Sequence, residues 1–240
     1  MVENLGVKFG TIKSKGTTSI EYGYKPNVGG IAGAITNTTI RNCYTIGNLL
    51  NASCSSFSYS IGGGIVGEGT QSTILNCYSI CAIKLVSQYS VCGGGIVGSG
   101  SDLTVNNCYS ICKIEGKGGT DAGGGEVIAG GIIGRGAGIY GDPPVSVCIK
   151  NCLALGKEAF NLTSGRIFPS GRILGNTYNA NATLSNNYAT PLMPGEWTAI
   201  GADQNDGADW SGINCIPSEP DVWASTWDEW NAEDAGSTIN

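Results

Sequence analysis

The sequence predicts an all-β fold, a right-handed parallel β-helix (solenoid) of about five glycine-rich repeats. Three observations lead to this fold class. Glycine supplies 39 of 240 residues and one glycine-framed motif recurs five times, while no segment has the periodicity of an amphipathic helix. A single unit of about 35 residues cannot bury its own apolar face, so equivalent units must stack. Crossovers between parallel strands are nearly always right-handed, which predicts the hand of the coil.

The recurring frame is Gly-Gly-x-x-Gly, and its starts lie 34, 31, 36 and 41 residues apart. Glycine adopts positive φ without strain and lets backbones approach closely, so we expect the frame to mark corners of the coil. A phosphate-binding loop is disfavoured, because neither Lys-Ser/Thr nor a helical pattern follows. Short β-branched runs predict strands of about four to six residues. The copies are Gly29–Gly33, Gly63–Gly67, Gly94–Gly98, Gly130–Gly134 and the degenerate Gly171–Gly175.

A second block follows each frame and reads Thr-Ile-x-Asn-Cys-Tyr in its best copies. Asparagine tolerates the left-handed backbone conformation, and its side-chain amide can bond to the amide on the next rung. We therefore expect a ladder of stacked asparagines at a corner of the coil. Its members are Asn42, Asn76, Asn107, Asn151 and Asn186.

The cysteines recur at repeat positions, which indicates buried core columns. Cys81 and Cys112 share one such position. Copies on successive rungs would lie about 4.8 Å apart, so a strained bridge between rungs stays open as an alternative, as does a metal site. The main column holds Cys43, Cys77, Cys108 and Cys152, and the better candidates for any bridge are Cys54, Cys92, Cys148 and Cys215.

A tyrosine recurs directly after the Cys or Asn position of the block. Strand alternation places these tyrosines on the face opposite the cysteines. Rings that face solvent would form a platform for sugar rings, whereas rings covered by a loop would serve packing, and both interpretations stay open. Leu153 interrupts the column in the fourth repeat. The candidate ligand-binding residues of this column are Tyr44, Tyr78, Tyr109 and Tyr188.

The sequence Gly-Gly-Ile-Val-Gly followed by Thr-Ile-x-Asn-Cys-Tyr resembles the GLUG repeat. The resemblance covers roughly residues 29–190, with three good copies, one with an insertion and one degenerate copy. GLUG repeats belong to secreted and cell-surface bacterial proteins, adhesin-like or peptidase-associated. The resemblance therefore implies a secreted or surface location, a removed leader and membership of a larger surface protein or assembly. It implies no particular ligand.

Residues 191–240 hold ten Asp and Glu and no Lys or Arg. This change in composition predicts two parts: a solenoid domain over 1–190 and an acidic, tryptophan-rich capping segment over 191–240. Helical spacing places three tryptophans on one face, which either packs across the open end of the solenoid or binds carbohydrate. These residues are Trp223, Trp227 and Trp230.

The same tail contains oxygen-bearing side chains around a central glycine, in the manner of a calcium loop. The twelfth position lacks the usual Glu, so a Ca²⁺ site and a solvated acidic loop both stay open. No other cofactor is expected. The candidate ligands are Asp203, Asn205, Asp206 and Asp209.

Composition narrows the function classes. The net charge is −6 with no basic stripe, which argues against nucleic-acid binding. No apolar run is long enough to span a membrane. The chain has no histidine, which excludes Ser-His-Asp and Cys-His nucleophile systems and histidine acid–base catalysis.

We therefore predict a non-catalytic module, secreted or on the cell surface, that mediates adhesion or binds a host or cell-wall glycan or a surface protein. The alternative is a β-helix polysaccharide hydrolase or lyase. A groove holding two carboxylates within about 5–10 Å of each other would favour the enzyme.

Overall fold

The computed structural model describes residues 1–16, 25–54, 58–119, 125–137, 144–156, 160–164, 166–167, 171–190, 193 and 213–214. Within these residues the chain is all-β, without helix, and its parallel strands stack as a β-solenoid of about five turns. The predicted fold class is confirmed.

The described residues form 22 strands, numbered here in chain order. They are β1 (Val2–Glu3), β2 (Gly6–Gly16), β3 (Asn27–Gly29), β4 (Ala32–Thr36), β5 (Thr39–Arg41), β6 (Tyr44–Cys54), β7 (Tyr59–Gly63), β8 (Val66–Leu75), β9 (Tyr78–Ser87), β10 (Ser90–Gly94), β11 (Val97–Asn106), β12 (Tyr109–Lys117), β13 (Glu126–Gly130), β14 (Ile133–Ala137), β15 (Val145–Lys150), β16 (Leu153–Ala154), β17 (Phe160–Thr163), β18 (Arg166–Ile167), β19 (Leu174–Tyr178), β20 (Ala180–Ser185), β21 (Tyr188–Ala189) and β22 (Ile213–Asn214).

The strands form three parallel sheets, and each coil visits them in the same order. Sheet A contains β1, β4, β5, β8, β11, β14, β15, β19 and β20; sheet B contains β2, β6, β9, β12, β16, β17, β21 and β22; sheet C contains β3, β7, β10, β13 and β18. A full coil runs from sheet C to sheet A to sheet B, as β7, β8 and β9 do. The frame glycines Gly63, Gly94 and Gly130 are Cα partners on successive rungs. The alignment of the frames in the sequence therefore matches the hydrogen-bonded register of the strands.

Aliphatic side chains at equivalent repeat positions fill the interior in columns, each side chain resting on its copy in the next coil. This arrangement removes apolar surface from water continuously along the axis, which is the main favourable contribution to a solenoid's stability. One fully buried column is Ile65, Ile96, Ile132 and Ile173, and another is Ile40, Ile74, Val105, Ile149 and Leu184.

Several strands are longer than the predicted four to six residues. Strands β8 and β11 each run for ten residues. They continue through Gln71 and Asp102, both with φ of 48°. In these two coils one left-handed residue bends the strand without ending it, because the same bend recurs on the neighbouring rung. At Asn37 and Asn179, which have the same φ of 48°, one strand ends and the next begins.

The frame glycines act through close backbone approach. Gly63, Gly94 and Gly130 do not have φ between +20° and +160°, so positive φ is not the reason for glycine at these corners. A Cβ on each of these glycines would overlap the carbonyl oxygen three residues ahead, and would lie 2.6 Å from a backbone nitrogen of the next coil. The frame requires glycine because backbone atoms occupy the space of a side chain.

The asparagines provide the left-handed corners, as predicted. Asn76 Nδ2 donates to Asn42 Oδ1 at 3.2 Å, and Asn151 Nδ2 donates to Asn107 Oδ1 at 3.1 Å. The ladder extends to Asn4, which accepts from Asn42 Nδ2 at 3.2 Å and has φ of 55°. The five predicted members have φ values of 54° (Asn42), 53° (Asn76), 53° (Asn107), 53° (Asn151) and 54° (Asn186).

The main cysteine column is buried, as predicted. Its thiols donate to the carbonyl two residues earlier in the chain, at 3.1–3.2 Å. None of the nine cysteines among the described residues forms a disulfide, and these nine include the bridge candidates Cys54, Cys92 and Cys148. Cys215 lies outside the described residues. The exposed fractions of the column are 2% (Cys43), 1% (Cys77), 0% (Cys108) and 0% (Cys152).

Three residues of the predicted capping segment are described. Met193 is buried and belongs to the main apolar core. Ile213 and Asn214 form β22, which pairs in parallel with Tyr188 and Ala189 of β21. The segment after residue 190 thus contributes one more rung to sheet B.

Candidate functional site

The predicted tyrosine column exists and stacks ring on ring. The centroids of Tyr44 and Tyr78 lie 5.1 Å apart with planes 7° from parallel, and those of Tyr78 and Tyr109 lie 4.7 Å apart at 3°. Leu153 and Tyr188 continue the register. Burial raises the pKa of Tyr78 and raises that of Tyr109 to about 12. The ring faces of Tyr44, Tyr78 and Tyr109 cover one another along the column, and all four tyrosines are partly buried.

The other candidate residues of the tail lie outside the described residues. These are the tryptophans Trp223, Trp227 and Trp230, and the candidate calcium ligands Asp203, Asn205, Asp206 and Asp209.

A cleft of about 180 Å³ lies where sheet C meets sheet A, and it brings together charged and aromatic side chains. We call it the Arg135 cleft. Sheet A contributes residues from the position directly after the third glycine of the frame, and sheet C contributes the floor. The cleft is lined by Lys25, Tyr59, Ile61, Glu68, Cys92, Ser99, Arg135, Ala137 and Tyr178.

The third glycine of each frame makes this corner tight. A Cβ on Gly134 would lie 2.5 Å from the carbonyl oxygen of Gly93 and 2.6 Å from that of Gly98, and a Cβ on Gly98 would lie 2.7 Å from that of Gly62. Since no side chain can separate the sheets here, the strands of sheets C and A approach closely at the corner. The residues that follow the glycine then project beside those of sheet C.

Arg135 is the central cation of the cleft. Its guanidinium carbon lies 5.0 Å from the ring centroid of Tyr178 and 5.9 Å from that of Tyr59, within cation–π range. Its Nη1 pairs with Glu126 Oε2 at 3.1 Å, and only 11% of its side chain is exposed. The Nε atom is buried and makes no hydrogen bond. A ligand acceptor that reached Nε would remove the cost of leaving this donor unsatisfied.

Glu68 provides the acceptor of the cleft. Asn27 Nδ2 donates to its Oε2 at 2.9 Å, and Lys25 Nζ lies 3.5 Å from its Oε1. Lys25 also lies 5.8 Å from the ring centroid of Tyr59. These contacts hold the carboxylate in place before any ligand arrives, so less side-chain entropy is lost on binding.

The floor of the cleft is apolar and unreactive. Ile61 and Cys92 are 3% and 2% exposed. Burial raises the pKa of Cys92 to about 12, although the nearby Arg135 opposes the shift. The thiol is therefore protonated at neutral pH, and it donates to the carbonyl of Gly98 at 3.0 Å. A protonated buried thiol is a poor nucleophile.

Sequence reasoning missed this site. Glu68, Ser99 and Arg135 occupy one repeat position, each preceded and followed by glycine. The signal available in the sequence was that residues of opposite charge, Glu68 and Arg135, share one repeat position. A search for carboxylates alone does not find it, because the carboxylates do not recur at any repeat position. Lys25 and Tyr59 each stand four residues before a frame, and Tyr178 stands seven residues after the start of one, but the residue type at these two positions varies between repeats, so no motif marks them.

No protein-family model, curated protein or solved structure matches the chain. Among the described residues there is no cluster of three or more Cys, Asp or Glu side chains placed to hold a metal ion. The same part of the chain contains no helix with the length and hydropathy of a membrane span.

Proposed function

We propose that this protein is a non-catalytic binding module, secreted or displayed on a cell surface, that binds a glycan through the Arg135 cleft. The observation that carries the proposal is the guanidinium of Arg135 between two tyrosine rings, with a fixed carboxylate in the same cleft. The GLUG-like repeats support the surface location and an adhesive role.

The residue types suit a sugar ring. Aromatic faces contact the apolar C–H surface of a sugar, while charged groups make the stronger hydrogen bonds to hydroxyls. Tyr178 is 42% exposed, so it offers such a surface at the mouth of the cleft. Glu68 can accept from one hydroxyl, and the Arg135 side chain, which is 11% exposed, can donate to another. The volume is below the about 300–1,000 Å³ of drug-sized sites, which suits one sugar unit of a longer chain.

The cleft favours binding over the alternative of a polysaccharide hydrolase or lyase. Glu68 is the carboxylate among its described lining residues, and it is already held by Lys25 and Asn27. Glycoside hydrolysis requires a second carboxyl group beside the scissile bond. Glu126, the other carboxylate near Arg135, is not among the lining residues, and its Oε2 is paired with Arg135 Nη1 at 3.1 Å. Both carboxylates are thus held by cations, and the chain contains no histidine to act as a general base.

A glycan array on the full chain, followed by calorimetry with the best oligosaccharide, tests the proposal. The variants Tyr178→Ala and Glu68→Gln should each weaken binding about tenfold or more, a loss of about 1.4 kcal/mol. The matched control is Ile111→Ala, because Ile111 on sheet B is similarly exposed at 43% and lies outside the cleft. An array without a hit, or binding that Tyr178→Ala and Ile111→Ala leave equally intact, would contradict the proposal. Cleavage of the oligosaccharide would instead support the enzyme.

A further inference from the structure

Cys81 and Cys112 form a thiol pair on adjacent rungs of sheet B. They are Cα partners in the pairing of β9 with β12, and their Sγ atoms lie 3.6 Å apart. Both are buried, with 6% and 4% of their surface exposed. In-register parallel strands are about 4.8 Å apart, inside the 4.4–6.8 Å between Cα atoms that disulfides span. The backbone therefore already has the spacing of a bridge.

The main cysteine column has a different arrangement. There each thiol points to a carbonyl of its own chain segment, as Cys77 does to Leu75 at 3.2 Å and Cys108 to Asn106 at 3.2 Å. A thiol held by a carbonyl acceptor must give up that bond before it can turn toward its neighbour. At Cys81 and Cys112 the two sulfur atoms already contact each other, and the carbonyl oxygens nearest to Cys112 Sγ are more distant than in the main column, at 3.5 Å (Gly95) and 3.7 Å (Ser79).

We propose that Cys81 and Cys112 are an oxidation site, at which a small hydroperoxide closes a disulfide between two coils of the solenoid. This inference is independent of the glycan-binding cleft. The bond would tie the second complete coil to the third across 31 residues of chain. Such a staple suits a protein that works in an oxidising extracellular compartment.

Cys112 is the thiol that reacts first. The Cys81 thiol, whose sulfur lies 3.6 Å from that of Cys112, can donate to the Cys112 thiolate and lowers the pKa of Cys112, while burial opposes the shift. The contact with Cys112 and burial raise the pKa of Cys81. The pair thus consists of one activated sulfur and one protonated partner.

The chemistry balances with hydrogen peroxide as the oxidant. The Cys112 thiolate attacks one peroxide oxygen, which breaks the O–O bond, forms a sulfenic acid and releases hydroxide. The Cys81 sulfur then attacks Cys112 Sγ, forming the S–S bond and displacing the sulfenic oxygen as water once it takes up a proton. The proton of Cys81 neutralises the first hydroxide, and the proton that Cys112 released on forming its thiolate is the one that the sulfenic oxygen takes up. Two thiols are oxidised, and one peroxide is reduced to two molecules of water.

The test is peptide mapping of the folded protein before and after treatment with hydrogen peroxide. Reduced protein is oxidised, denatured in an alkylating reagent, digested and analysed by mass spectrometry without reduction. We expect a peptide linking Cys81 to Cys112, with a mass lower by two hydrogens than that of the two peptides together. We also expect the unfolding midpoint of the oxidised protein to rise, and added dithiothreitol to reverse both changes.

Two variants provide the controls. Cys81→Ser should form no linked peptide and should leave Cys112 as a sulfenic acid that dimedone traps. Cys108→Ser, which removes a buried thiol of the other column, should still form the link. The proposal is wrong if the wild-type map contains no Cys81–Cys112 peptide, or if the link joins Cys77 and Cys108 instead. The wild-type map decides the question even if a variant fails to fold.

Discussion

Replacing Gly94 with alanine should destabilise the solenoid strongly, without any change of charge or polarity. The new Cβ would overlap the carbonyl oxygen of Val97 and lie 2.6 Å from Gly134 N, where ordinary contacts measure 3.4–4 Å. Both neighbours are backbone atoms, so the strand must move by about 1 Å to relieve the overlap. This movement would weaken two hydrogen bonds between rungs, from Gly64 N to Gly94 O and from Gly95 N to Gly130 O, both 3.2 Å long.

The magnitude follows from these two effects. Weakening two rung hydrogen bonds costs about 2 kcal/mol, and overpacking a tight backbone contact costs about 1–3 kcal/mol. The free energy of unfolding should therefore fall by about 3–5 kcal/mol, and it should fall similarly for Gly63→Ala and Gly130→Ala, whose surroundings are the same. Such a loss is a large fraction of the stability of an ordinary domain.

Urea unfolding followed by circular dichroism measures this loss. The matched control is Gly10→Ala, because a Cβ on Gly10 meets no atom within 4 Å. That substitution should change stability by less than about 1 kcal/mol, in the stabilising direction, since alanine restricts the unfolded chain. If Gly94→Ala unfolds at the same urea concentration as Gly10→Ala, close backbone approach is not the reason for the frame glycines.

Two further substitutions test the corner and the tyrosine column. Asn107→Ala should lower the free energy of unfolding in urea by about 2–3 kcal/mol, because alanine is strained at the left-handed φ of 53° and one ladder hydrogen bond is lost. Asn107→Gly should lose only the hydrogen bond, about 1 kcal/mol. Equal losses for the two variants would contradict a role for the left-handed conformation. Burial raises the pKa of Tyr109 from 10.0 to about 12. The contribution of the neutral phenol to the free energy of unfolding is therefore fully present below pH 10 and is lost as the pH rises toward 12, because the unfolded chain ionises first. Over this pH range the free energy of unfolding of the wild type should fall by about 1–2 kcal/mol more than that of Tyr109→Phe. If the two proteins lose stability in parallel as the pH rises, this account is refuted.

The features that recur in every repeat could be predicted from the sequence. Because stacking places equivalent positions one rung apart, the spacing of the motifs predicted the register, the asparagine ladder and the cysteine and tyrosine columns. The role of the glycines was predicted only in part. A glycine in a sequence indicates either positive φ or close packing, and the choice depends on neighbouring coils. In this protein Asn76 and its copies adopt the left-handed conformation, so the glycines serve close packing.

The Arg135 cleft was beyond prediction for a related reason. Tyr59 enters the cleft from sheet C, and Tyr178 from the last coil of sheet A, at repeat positions where the residue type varies between coils. Tyr178 and Arg135 stand on neighbouring rungs of sheet A, whereas the approach of Tyr59 to Arg135 depends on the angle between sheets C and A. That angle arises from backbone packing at the corner glycines, which a one-dimensional pattern does not contain.

The position after the third frame glycine explains how a repetitive scaffold acquires one particular site. Successive coils place Ala34, Glu68, Ser99, Arg135 and Asn176 in register on the outer face of sheet A. Glu68 and Arg135 thus stand two rungs apart, about 10 Å, with the small Ser99 between them. Opposite charges on adjacent rungs would pair directly and leave no opening. The intervening serine keeps them apart, while the glycine before this position maintains the corner in every coil. Variation at one repeat position therefore changes what the cleft binds, and the glycines and core columns that stabilise the fold stay the same.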